Sequence, residues 1–147
     1  MVATSVWQDV GLESRLWGDN GIAVFRAQGE FYGQLAAPML AHAQDTVAAW
    51  RSDALVADYT ASRLRITSAQ LAGSITNVIH KTGALSLPTA LVVRRDDLAV
   101  WDAYARALAE DAGILRGVFL DYDEALRWVR LQAEIFRITK SRRAASQ

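Results

Sequence analysis

The sequence predicts an α/β fold: a single mixed, mostly parallel four- to five-stranded sheet with helices packed on it. Three observations carry this expectation. Short β-like runs, "ALVADYT", "PTALVV" and "LRGVFL", alternate with amphipathic segments. The turn tetrapeptide Gly18 to Gly21 separates two apolar segments early in the chain, which signals an antiparallel hairpin. Strands that alternate with helices require right-handed crossovers, and these leave neighbouring strands parallel.

The elements follow in order. The hairpin joins a strand near 14–17 to one near 22–27. Next, "FYGQLAAPMLAHAQDTVAAW" spaces Leu35, Met39, Ala43 and Val47 on one helical face, with Pro38 placed in the first turn, where its missing N–H costs least. A strand over 54–60 ends in polar Asp58, Tyr59 and Thr60, and a loop follows. The second helix opens on a capping box, Thr67 with Gln70, presents Leu71, Ile75 and Val78 on one face, and stops at Gly83. A strand near 88–93, a helix with Leu98, Trp101, Ala105 and Leu108 on its stripe, a last strand near 115–120 and a final helix complete the order. The expected core is Val24, Leu40, Val47, Val56, Leu71, Ile75, Leu91, Val93, Leu108, Val118, Leu126 and Val129. One domain is expected over 1–137, followed by a mobile basic tail, "KSRRAASQ", in the segment 138–147.

Composition narrows the function classes. At 147 residues and 52% hydrophobic, the chain has enough apolar material for a full core. Lys plus Arg equals Asp plus Glu at 16 each, so no net field draws nucleic acid or an anionic membrane, and a charged partner must be read by a local patch. The absence of cysteine excludes disulfides, thiolate metal sites and cysteine nucleophiles, and is compatible with a reducing cytoplasm. No apolar run approaches the roughly 18 residues of a membrane span, and the expected location is cytoplasmic.

The stretch "GVFLDYDEALRWV" places three carboxylates, Asp121, Asp123 and Glu124, behind an apolar run. Asp121 at an N-cap and two further acids in the first turn suit the positive end of a helix, so the cluster is read as capping rather than as a metal or acid–base site. Asp96 and Asp97 are read the same way. Neither GxGxxG nor GxxxxGK[ST] occurs, nor GxSxG, and His42 and His80 lack HExxH spacing. No catalytic residue, metal ligand or cofactor is therefore assigned. The five tryptophans are read as anchors of a core or an interface.

The succession "ALVADYT", "ITSAQL", "PTALVV" and "GVFLDYDEALRWV", spanning roughly 21–129, resembles the STAS-like, or SpoIIAA-like, superfamily of bacterial proteins. The resemblance implies a mixed sheet with helices packed on it and protein binding or small-ligand sensing without catalysis. In the antagonist branch of that superfamily the second helix begins Asp-Ser-Ser-Gly-Leu, and the second serine is phosphorylated. Matching Leu71 to that leucine puts Ala69 at the phosphoacceptor position and Gln70 at the glycine, so the chain looks more like the uncharacterised branch.

The expected function is a non-catalytic regulatory or binding module for a protein partner or a small anionic ligand. A small enzyme using Asp58, Asp121 or a histidine in a cleft is the alternative, and a structural homodimer subunit a third. Ligands of open parallel sheets sit beyond the carboxyl ends of the strands. Asp58, Arg94 and Arg95 lie at those ends, and the loop after the 54–60 strand adds Arg63 and Arg65 beside the helix start at Ser68. Guanidinium groups beside a helix amino end suit an anion, so these residues form the expected contact rim.

Overall fold

A computed structural model describes residues 4–9, 11–19, 21–74, 87–112 and 115–145. The elements are β1 (Thr4–Asp9), β2 (Leu12–Asp19), β3 (Ile22–Tyr32), α1 (Gly33–Ala49), β4 (Ala54–Arg65), α2 with 68–74 as its described part, β5 (Thr89–Val92), a 3-10 turn (Arg95–Asp97), α3 (Leu98–Ala112), β6 (Arg116–Phe119) and α4 (Tyr122–Ala145). The six strands lie side by side in chain order. β1 with β2 and β2 with β3 are antiparallel, whereas β3 through β6 are parallel, so β2 alone runs against the rest.

Strand alternation divides the interior into two cores. On one side, Leu55, Ala57, Tyr59, Leu91 and Val93 meet Phe25 and Phe31 of β3, Leu35, Met39 and Val47 of α1, and Trp101, Tyr104 and Leu108 of α3. Trp101 is its centre: it stacks on Tyr59 at 4.3 Å between ring centroids and takes Phe31 and Tyr104 edge-on. Small residues dominate the other side. There Ala54, Val56, Ala90 and Val92 receive Ala125, Val129 and Ala133, which lets α4 lie close against the sheet.

The expected core is buried except at its margins, where Val118 and Leu126 are half-buried; Ile75 lies outside the described residues, as do Val78, His80 and Gly83. Several boundaries differ from the expectation. β1 is a sixth strand, invisible to periodicity because an edge strand with one open face needs few apolar residues. The segment after Thr60, read as a loop, continues β4 to Arg65. A bulge carries it past the end of β5: two steps on β3, from Arg26 to Gln28, match three on β4, from Asp58 to Ala61. α1 begins at Gly33, so Pro38 lies inside the helix rather than in its first turn and leaves the Gln34 carbonyl without an i→i−4 donor. The basic segment assigned to a tail is helical over its described part, because α4 continues to Ala145.

Gly29 explains how β2 and β3 stay paired at their far end. It adopts φ +114°, and a Cβ there would fall almost on the Gly11 carbonyl oxygen, which instead accepts the Glu30 amide at 3.2 Å.

Candidate functional site

α4 covers only part of its side of the sheet. It packs on β4, β5 and β6 and over the start of β3, where Ile22 is half-buried and Val24 buried. Among the described residues Arg15 of β2 and Arg26 of β3, on the same side, keep half or more of their side chains in solvent. Pairing register lines up the open rows. Val6 lies opposite Arg15, Arg15 opposite Arg26 and Arg26 opposite Asp58; alongside runs the row Thr4, Trp17 and Val24. Two cavities open on these rows. One of about 690 Å³ is bounded by Thr4, Val6, Arg15, Trp17, Arg26 and Gln28. The other, about 400 Å³, lies between α4 and the hairpin and is lined by Trp17, Val24, Tyr122, Leu126 and Arg130 among others. Trp17 lines both, so the two form one trough beside α4.

Asp58 organises the trough. It is buried, with 6% of its surface exposed, yet its carboxylate is fully engaged. Oδ1 accepts the Thr60 amide at 2.9 Å and the Thr60 hydroxyl at 2.6 Å, and Oδ2 accepts Arg26 Nε at 3.2 Å. Held this way, the Arg26 guanidinium lies 5.5 Å from the centroid of the Trp17 ring, within cation–π range. Two arginines directly opposite one another on adjacent strands repel. Here each has its own carboxylate, Arg15 with Glu13 and Arg26 with Asp58, and half or more of each side chain remains in solvent. Across the trough, burial pushes the Tyr122 hydroxyl above the usual phenol range, while the nearby Arg26 charge opposes the shift. Tyr122 is thus a neutral hydrogen-bond donor at physiological pH. Arg130 adds an exposed cation with no ion-pair partner among the described residues.

The trough can bind and orient. Its inventory of guanidiniums, an indole and a phenol suits carboxylates or other planar anions, which arginine meets with two parallel hydrogen bonds.

The rim expected from sequence is distributed differently. Asp58 faces the trough. Arg63 and Arg65 both turn to Glu30, at 3.8 and 2.8 Å, on the side of the sheet where Arg26 lies. Arg94 sits 3.9 Å from Asp96, and Arg95 is exposed in the 3-10 turn. Ser68 is half-buried at the first position of α2. Among the described residues no hydrogen bond or ion pair joins Arg63 and Arg65 to Ser68, Arg94 or Arg95. The capping readings are realised in full at α2, where Thr67 N–H donates to Gln70 Oε1 at 3.0 Å and Gln70 N–H donates to Thr67 Oγ1 at 3.2 Å. At α4, Asp121 Oδ1 accepts the Asp123 amide at 3.0 Å. His42 of α1 meets the Ser5 hydroxyl at 2.9 Å, a tie between α1 and β1.

Sequence reasoning missed Arg15, Trp17, Arg26, Tyr122 and Arg130. The available signal was the alternation of "RLW" and "VFRAQ", which already puts Arg15 and Trp17 on one face and Arg26 on another strand's equivalent face. On the opposite side of the sheet, Arg116 is buried and donates to the Leu87 and Leu115 carbonyls at 3.1 and 3.2 Å. The cavity beside it is small, about 30 Å³. Among the described residues, no group of three or more histidines and carboxylates could hold a metal ion, and no helix is long and apolar enough to cross a membrane.

No family model matches the chain, and no curated protein matches it in sequence. Among solved structures, it is similar to an anti-sigma factor antagonist from Mycobacterium paratuberculosis, with 21% identity and a TM-score of 0.52 over 88% of this chain and 95% of that one. It is also similar to an uncharacterised protein of the DUF3478 family with a SpoIIAA-like fold from Shewanella loihica, with 16% identity and a TM-score of 0.48 over 87% of this chain and 93% of that one. The fold is that of the anti-sigma factor antagonist, STAS-like as the sequence resemblance implies.

Proposed function

We propose that this chain is a non-catalytic binding module that captures acidic groups of a protein partner in the trough between α4 and β1 to β3. The observation that carries the reading is the Arg15 and Arg26 pair, directly opposed across β2 and β3, with the second guanidinium held against Trp17 by a buried carboxylate. Like charges in register weaken a sheet. A site that needs two guanidiniums a strand apart, each able to exchange its own carboxylate for a partner's, accounts for that cost. The similarity of the fold to an anti-sigma factor antagonist is in keeping with a protein partner. Arg63 and Arg65, which share a single carboxylate on the same side of the sheet, extend this surface in the proposal, with Ser68, Arg94 and Arg95 at its outer rim. One domain with its site on one sheet face is the corresponding organisation.

The test is a titration of isotope-labelled protein with a glutamate-rich peptide, and separately with inorganic phosphate, following the Trp17 indole and the Arg15 and Arg26 amide resonances. The expected outcome is movement of these signals with the peptide, weakened by added salt and lost in the Arg15→Ala/Arg26→Ala variant. Movement with phosphate alone would make the ligand a small anion. Peptide binding that survives the double substitution would remove the trough from the proposal.

A further inference from the structure

The outer surface of α4 carries an apolar stripe that is exposed among the described residues. Leu131, Ile135 and Ile138 are 61%, 50% and 49% exposed, and they recur at the alternating four- and three-residue spacing of a helix-pairing seam. Trp128, half-buried against Phe119, continues the same spacing toward the amino end. Buried Ala125, Val129 and Ala133 occupy the opposite face, and among the described residues Leu131, Ile135 and Ile138 belong to neither core.

The ends of α4 say what covers it. Asp123 and Glu124 lie in the first turn, and Arg142 and Arg143 in the last. About Ala133 the seam is symmetric: Leu131 and Ile135 are equally far from it, as are Trp128 and Ile138, and Glu124 and Arg142. From the structure we infer that α4 is a self-association surface, on which a second copy of this chain packs its own α4 antiparallel, with the twofold axis at Ala133. In this register Leu131 meets the partner's Ile135, Trp128 meets the partner's Ile138, and Glu124 meets the partner's Arg142. Both helix dipoles and both terminal charge clusters are then matched head to tail. A parallel pair would set acid against acid and base against base. A lipid surface has no use for an acidic end followed by a basic one. From Glu124 to Arg142 the seam is roughly 27 Å long, enough for repeated layers of knobs into holes. It is distinct from the trough, whose α4 residues Tyr122, Leu126 and Arg130 lie on another side of the helix.

The experiment is sedimentation equilibrium of the full chain over a range of concentrations, together with four variants. The parent is expected to dimerise reversibly, and Leu131→Glu/Ile135→Glu to be monomeric with unchanged circular dichroism. Glu124→Arg and Arg142→Glu should each weaken dimerisation roughly tenfold, because each turns two attractive contacts repulsive, and the variant carrying both should recover it. The chain has no cysteine, so the register can be read independently. Glu124→Cys mixed with Arg142→Cys should form the mixed disulfide faster than either variant alone forms its own. A monomeric parent at about 1 mM, no recovery in the double charge variant, or preferential 124–124 crosslinking would each overturn the inference. So would a monomer that binds anionic phosphatidylglycerol vesicles through Leu131.

Discussion

Asp58→Ala is the most informative single perturbation, because one carboxylate holds both a strand bulge and the trough. The substitution removes the acceptor for three hydrogen bonds, two from Thr60 and one from Arg26. Hydrogen bonds to a charged group contribute about 1.5–3 kcal/mol each, but Thr60 is exposed and half of the Arg26 side chain is in solvent, so water replaces much of what is lost. The buried carboxylate's own desolvation cost also disappears. The net loss expected is about 2–3 kcal/mol, which in a domain of this size lowers the melting temperature by about 5–10 °C. Asp58→Asn separates the contributions. An amide keeps an acceptor for Thr60 while removing the charge that holds Arg26, so it should cost only about 1 kcal/mol. Denaturant unfolding measures both, with the midpoint shifting at constant slope. The binding readout moves the other way: with its internal carboxylate gone, Arg26 is released to an external one, and the glutamate-rich peptide should bind more tightly to Asp58→Asn. A loss below about 0.5 kcal/mol for Asp58→Ala, or equal losses for the two variants, would refute the assignment of Asp58 as the organiser of this site.

Two further outcomes test the frame around the trough. Asp121→Ala should lower stability by about 0.5–2 kcal/mol through loss of the α4 cap while leaving peptide binding unchanged, as read by unfolding and by the same titration; lost binding at unchanged stability would make Asp121 part of the site. Burial drives the hydroxyls of Tyr59 and Tyr104 well above the ordinary phenol range, with the Arg116 charge opposing both shifts. Because the folded state disfavours the phenolate, this stability is fully present below about pH 10 and is lost as pH rises beyond it. Tyr59→Phe/Tyr104→Phe should flatten the alkaline decline in stability relative to the parent, and an unchanged decline would contradict the burial of these hydroxyls.

What the sequence determined by itself was carried by neighbours along the chain. Apolar spacing identified the core stripes of α1 and α3, and the Thr67 and Gln70 pair gave the start of α2, because a cap and a helical face are made by residues a few positions apart. The same logic assigned Asp121 to a cap rather than to chemistry. The tertiary structure decided what depends on pairing distant segments. β1 becomes a strand only because β2 offers it an edge, and β4 outlasts its apolar run only because a bulge keeps it on β3. The candidate site is of this second kind. Arg26 reaches Asp58 across 32 positions, and Trp17 joins them only through the β2–β3 register. The expected rim followed strand ends, which is where the backbone points; the trough arose instead where α4, among the described residues, leaves part of its side of a six-stranded sheet exposed, a matter of area that no local pattern records.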